Sequence, residues 1–111
     1  MKKVFVSVPM NGRTDCEINR DISDTIEEYC MKNGLENYVK TRSETIFVHN
    51  NDYQTKHYID PSNAKIPNLV YLGVALNRMA NCDDVIFAKG WENARGCQVE
   101  KMVYDLYFNK P

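Results

Sequence analysis

One carboxylate in this sequence stands where it could do covalent chemistry. The stretch Gly90-Trp91-Glu92-Asn93-Ala94-Arg95-Gly96-Cys97-Gln98-Val99-Glu100 follows the apolar run Val85-Ile86-Phe87-Ala88 and holds the chain's only tryptophan. It reads as a buried strand, a turn, and then a helix beginning near Ala94 or Arg95. Helical side chains lean toward the amino terminus of their helix, which directs Glu100 into the space beyond the strand. Backbone amides and the helix dipole there favour its ionised form. An ionised, positioned carboxylate suits attack on an anomeric carbon, whose transition state is an electron-poor, oxocarbenium-like sugar. Trp91 is placed to wall such a pocket or to stack on a flat base, with Asn93, Arg95 and Gly96 around it. The plainer reading is that Glu100 complements the helix dipole and Trp91 fills core.

A second loop belongs to the same argument. Pro9-Met10-Asn11-Gly12-Arg13 ends an earlier apolar run, with a glycine for close backbone approach and an arginine ahead of a helix start. These residues suit a hydroxyl or a phosphate. They form neither a dinucleotide-binding glycine pattern nor a phosphate-binding loop of the nucleotide triphosphatases, and a plain strand–helix turn would look the same.

Positioning both loops requires alternating elements. Lys3-Val4-Phe5-Val6-Ser7-Val8 reads as a first, buried strand. Thr14 with Glu17 fits a capping box, and Ile18, Ile22 and Ile26 continue one helical face through Tyr29 and Cys30 to the stop at Asn33-Gly34. Thr45–Val48 is a second strand. Residues Asn50–Pro67 are polar and without periodicity, which predicts a lid, a binding loop, an arm to a neighbour or a surface excursion. Leu69, Leu72, Leu76 and Met79 mark a second helix, Asp83-Asp84 precede the third strand, and Val99, Met102, Val103 and Leu106 give the last helix its apolar face. The order strand–helix–strand–helix–strand–helix predicts an α/β fold, a parallel sheet of three or four strands with helices on both faces in three layers. Ligands of such sheets bind outside the carboxyl ends of the strands at a topological switch point. If the first and third strands are neighbours, the two loops face one crevice.

Bulk properties narrow the partners. At 111 residues the chain is one domain, 1–111, with 14 basic and 15 acidic residues and a net charge of -1. Nothing in that balance predicts a nucleic-acid face, and no apolar stretch suits a membrane span or signal peptide, so the cytoplasm is the expected compartment. Cys16, Cys30, Cys82 and Cys97 are widely spaced, and His49 and His57 form no metal-binding pattern, so neither a metal, a disulfide framework nor a cofactor is expected. Exposed edges on a small sheet predict a homo-oligomer.

Taken together, Ser7-Val8-Pro9-Met10-Asn11-Gly12 and Cys82-Asp83, the third strand and GWENARGCQVE resemble the nucleoside 2-deoxyribosyltransferase superfamily. The nearest likeness is to small bacterial and phage domains of unknown function, which open with a pattern like SGPMTG and later carry GWENSRGAxxE. The likeness spans nearly the whole chain. It implies a Rossmann-like or flavodoxin-like fold, usually oligomeric, in which a glutamate after the third strand attacks C1′ of a 2′-deoxyribonucleoside. The base leaves, and water or a second base resolves the glycosyl-enzyme. Glu100 is the matching position, and Pro9–Arg13 matches the segment lining the sugar pocket. Gly12-Arg13-Thr14-Asp15 partly matches a GRED-like run of the related deoxynucleotide N-hydrolases. The chain departs from the pattern at Val8, where the look-alikes have glycine, which would narrow the pocket floor. It departs near Ala75, where family enzymes carry an aspartate, and at Ala94, where the nucleotide hydrolases carry a phosphate-binding serine. Asp52, Asp60 and Glu92 are the acids left to substitute.

Three readings follow. The first is an N-glycosidic hydrolase or 2-deoxyribosyltransferase acting on a nucleoside or its monophosphate through Glu100. The second is a non-catalytic module that binds a nucleoside or nucleotide derivative. The third is an interaction domain with an empty crevice.

Overall fold

Val4, Phe5, Val6 and Ser7 are each at most 1 % exposed, so the strand they belong to, β1 (Lys2–Ser7), is buried on both faces. Only the central strand of a parallel sheet is enclosed in this way. The computed structural model, which describes residues 1–108, is accordingly α/β, with an open, all-parallel sheet of three strands and flanking helices. β2 (Thr45–Val48) and β3 (Asp84–Phe87) lie on either side of β1 in the order β2-β1-β3. Val4 stands level with Phe47 on one side, and Ser7 level with Phe87 on the other. Asp83 locks the start of the β1–β3 pair: its carboxylate accepts from the Lys3 amide at 2.8 Å and its own amide donates to the Lys3 carbonyl at 2.8 Å.

Period-two alternation divides the core. Val6 and Val8 pack with Ile18 and Ile22 of α1 (Asp15–Met31) and with Ala88. Phe5 packs instead with Val85 and with Ala75 and Met79 of α4 (Pro67–Ala80), and Val103 and Tyr104 of α5 (Arg95–Tyr107) close over that group. The expected capping box opens α1: Glu17 donates its amide to the Thr14 hydroxyl at 3.2 Å and accepts the Thr14 amide at 3.0 Å. The chain leaves that helix through Gly34, whose φ of 96° is open to glycine at no steric cost.

The expected order omits two helices. α2 (Leu35–Glu44) buries no residue, so no apolar stripe announces it. α3 (Tyr53–Tyr58) lies inside the segment 50–67, which is therefore not a single loop. Asp52 caps α3, accepting the Thr55 amide at 2.9 Å. Polar contacts then tie it down: Asn51 to Asn19 of α1 at 2.9 Å, Lys56 to Asp15 at 2.9 Å, and Arg78 of α4 to Asp52 at 3.2 Å. Order achieved by polar pairs leaves no hydrophobic period to read.

The apolar face of α5 also needs correcting. Val103 packs inward, but Val99, Met102 and Leu106 are 37 %, 63 % and 71 % exposed. Cys97, Glu100 and Tyr104, spaced by three and four residues, turn toward the sheet in their place. The inner face that an apolar stripe was expected to fill thus carries a thiol, a carboxyl and a tyrosine ring beside Val103. Among the described residues, no helix is long and apolar enough to cross a membrane.

Candidate functional site

The two loops singled out by the sequence do emerge from neighbouring strands. After β1 the chain turns at Met10–Arg13, with the Arg13 amide on the Met10 carbonyl at 3.2 Å and Gly12 at φ 71°. After β3 it turns at Ala88–Trp91, with the Trp91 amide on the Ala88 carbonyl at 3.2 Å and Gly90 at φ 88°, ψ 5°. Both glycines sit third in their turns, where a left-handed backbone is required. The first loop leads into α1, which packs on the Val6 side of the sheet, and the second leads into α5, which packs on the Phe5 side. Connections that part in this way from adjacent parallel strands define the switch point of an open sheet.

Glu100 lies under α5 at this point, 8 % exposed. A methyl group built on Gly96 would stand 3.6 Å from Glu100 Oε2, so the side chain does lean back over the preceding turn. Its neighbours are Ser7, at the end of β1, and Cys97, one turn earlier on α5; both are buried. Burial pushes the Glu100 carboxyl from its ordinary 4.5 up to about 7. The expected dipole-stabilised anion is thereby corrected. The field of a helix end fades within its first turn, whereas Glu100 is the sixth residue of α5, and loss of water dominates. The Cys97 thiol rises to about 11 for the same reason and stays protonated, a neutral neighbour. Among the described residues, no lysine, arginine or histidine pairs with Glu100.

The remaining predicted residues lie on the two loops and the first turn of α5. Pro9 and Met10 are half-buried, while Asn11 and Gly12 are exposed. Arg13 is engaged: its Nη1 pairs with Asp21 at 2.5 Å and donates to the Pro9 carbonyl at 3.2 Å, so the cation is held at the base of its own loop. Trp91 packs on Phe87 at 5.5 Å between ring centroids, beneath the Lys101 ammonium at 5.9 Å. Lys101 also caps Phe87 and Tyr104 and pairs with Asp105. The tryptophan therefore stands within an aromatic cluster with Phe87 and Tyr104, under one lysine. Asn93, Arg95 and Gly96 are exposed at the start of α5, whose amino-terminal residue Ala94 supplies no side-chain cap. Val8 packs with α1 and does not narrow a floor beneath Glu100.

Of the acids considered as substitutes for one near Ala75, Asp52 and Asp60 are engaged in local bonds, while the Glu92 side chain is exposed. Ala75 itself is 1 % exposed inside the Phe5–Met79 cluster, with no room for a carboxylate. Asp52 caps α3, Asp60 accepts the Ser62 amide at 3.0 Å, and Glu92 is exposed, its carbonyl taken by Gln98. A cavity of about 420 Å³ lies between α4, Val48 and Ile59, reaching Lys3 and Cys82, and one of about 890 Å³ lies around Lys2, Tyr29, Lys40 and Thr45. Neither is lined by Glu100 or by any predicted binding residue. No three His, Cys, Asp or Glu side chains come together as a metal site among the described residues.

Two members of the site were missed from the sequence, Ser7 and Cys97. Ser7 had a signal: it is the one polar residue between Val4 and Val8, against the continuous apolar pattern of a doubly covered strand.

No family model, curated protein or solved structure matches the chain.

Proposed function

We propose that this chain is an N-glycosidic enzyme, a hydrolase or 2-deoxyribosyltransferase for a nucleoside or its monophosphate, with Glu100 as nucleophile. The observation that carries the reading is a buried carboxyl with no cationic partner, beside the switch point between β1 and β3. A buried carboxyl kept for structure is ordinarily paired; this one, 8 % exposed, has no ionic partner among the described residues. At a pKa of about 7 roughly half the molecules carry the anion at neutral pH. In the reaction the carboxylate oxygen bonds to C1′ as the C1′–N bond breaks, and the bond pair leaves with the base, which takes a proton from solvent. Water, or the nitrogen of a second base, then displaces the glutamyl ester and restores the carboxylate. Trp91 follows β3 and the Pro9–Gly12 turn follows β1, so the two loops stand at the carboxyl ends of adjacent strands. The resemblance to the nucleoside 2-deoxyribosyltransferase superfamily favours the same chemistry. So does a three-layer, Rossmann-like or flavodoxin-like arrangement, which the division of the core by alternate residues of β1 supports.

One observation favours a second reading, a module that binds a nucleoside or nucleotide derivative without cleaving it. The position near Ala75 is sealed in core, so the acid expected there to assist the departing base is absent from that place.

Chromatography of the protein with a panel of deoxyribo- and ribonucleosides and their monophosphates, with and without an acceptor base, separates the two. Base release or exchange that falls at least about a thousand-fold in Glu100→Ala, with cooperative unfolding retained, is the expected result. Turnover that survives in Glu100→Ala discards the nucleophile. No reaction with any substrate, alongside saturable binding, selects the binding module.

A further inference from the structure

Ser7 is fully buried, and its hydroxyl is one of two buried side-chain oxygens among the described residues that meet no partner in hydrogen-bond geometry. Buried hydroxyls are nearly always satisfied, and an exception asks for a cause. The position gives one. Ser7 ends β1 level with Phe87, with its carbonyl already taken by the Ala88 amide at 2.8 Å, so the backbone there is fixed. By alternation its side chain lies on the Phe5 side of the sheet, the side that α5 covers and toward which Cys97 and Glu100 are buried. The rest of that layer is apolar or aromatic: Phe5, Val85, Phe87, Val103 and Tyr104.

We propose that Ser7 is the positioning residue for Glu100, a hydroxyl that rotates about one bond to accept from the carboxylic acid and donate to the carboxylate. The inference rests on the reading of Glu100 as the reactive group. The other groups on the neighbouring elements are weaker candidates. On α5, Cys97 is a weak donor, Tyr104 packs its ring against Phe87 and Phe108, and Lys101 is held over the aromatic rings and by Asp105. From α4 only Ala75, Leu76 and Met79 pack inward. β3 presents Phe87, and the loop after β1 presents Arg13, already paired with Asp21. A donor on the rigid end of the central strand holds the anion in one place, and a hydrogen bond to an ion is stronger than one to its neutral form.

The test is a titration that needs no turnover. The Glu100 side-chain carboxyl carbon is followed by 13C NMR across pH, assigned by its loss in Glu100→Gln, in the native protein, Ser7→Ala and Ser7→Thr. Ser7→Ala removes only an oxygen and is expected to fold. Its Glu100 midpoint is expected to rise by about one pH unit above the native value, and Ser7→Thr, which keeps the hydroxyl, to restore it. A midpoint unchanged in folded Ser7→Ala, or a Ser7→Thr midpoint that follows Ser7→Ala, overturns the inference. The two proposals fail separately. A shifted midpoint with no base release from any substrate keeps Ser7 and removes the glycosidic reading. Base release lost in Glu100→Ala, with an unmoved midpoint in Ser7→Ala, does the reverse.

Discussion

Replacing Glu100 by glutamine should stabilise this protein, and by an amount that depends on pH. The carboxyl has an ordinary value of 4.5 and rises to about 7 when buried. Between those values the folded chain binds more protons than the unfolded chain, so folding stability falls as pH rises. The contribution of Glu100 is fully present below pH 4.5 and is lost as pH climbs through 7. The full difference corresponds to about 3 kcal/mol at 1.36 kcal/mol per unit, of which about 2 is gone by pH 6. Glutamine keeps the shape and never ionises, so it removes the slope. For a chain of this size 3 kcal/mol amounts to roughly 10 °C in Tm. Urea denaturation of both proteins from pH 4.5 to 8.5 measures this directly. The native curve should decline toward high pH relative to Glu100→Gln, with the two separating by about 3 kcal/mol at pH 8. Parallel curves would mean that Glu100 is solvated or paired, and the reasoning about its burial would be wrong.

Two further substitutions probe the surroundings. Asp52→Ala removes both the α3 cap and the partner of Arg78, and should cost about 2 kcal/mol in urea denaturation; a loss below about 0.5 would show that α3 is not held by this residue. The Asp52 carboxyl lies below its ordinary value, because the bonds from Thr55 and Arg78 outweigh the upward push of burial, so its contribution should vanish as pH falls into the acid range. Gly96→Ala adds a methyl group at ordinary contact distance from Glu100 Oε2. It should leave the fold intact, gain up to about 1 kcal/mol from helix propensity, and slow base release about ten-fold by covering the carboxyl; unchanged turnover would place the substrate on another side of Glu100.

The parts of this fold that were legible in the sequence are those whose energetics are local or periodic. The Thr14–Glu17 box and the Ile18–Ile26 spacing determine α1, and Thr45–Val48 forms β2 at its expected bounds. β1 and β3 each lie one residue earlier than their apolar runs, because Val8 and Ala88 pack in the core beyond the ends of the ladders. α2 and α3 were illegible because neither is built on an apolar stripe: one buries nothing, and the other is held by Asp52, Asn51 and Lys56 across to α1 and α4. The misread face of α5 has a related cause. Val99, Met102 and Leu106 carry the apolar signal, yet the helix rolls to place Glu100 and Cys97 inside, and no single-helix pattern can register what the sheet presents opposite them.

What the sheet presents is Ser7, and the pair bears on the choice between structure and function. Had α5 met the sheet through its apolar stripe, a leucine at 100 and an alanine at 7 would seal the layer with no desolvation cost. Instead a carboxyl that weakens the fold by about 3 kcal/mol above neutral pH faces a hydroxyl without a partner, both where β1 and β3 end. Natural domains have a margin of only about 5–15 kcal/mol, so this is a large fraction to lose at one carboxyl. A buried carboxyl without an ionic partner and a buried hydroxyl without a hydrogen bond, together where β1 and β3 end, favour a site over a filler. The slope of the Glu100 titration and its response to Ser7→Ala measure that conflict from its two sides.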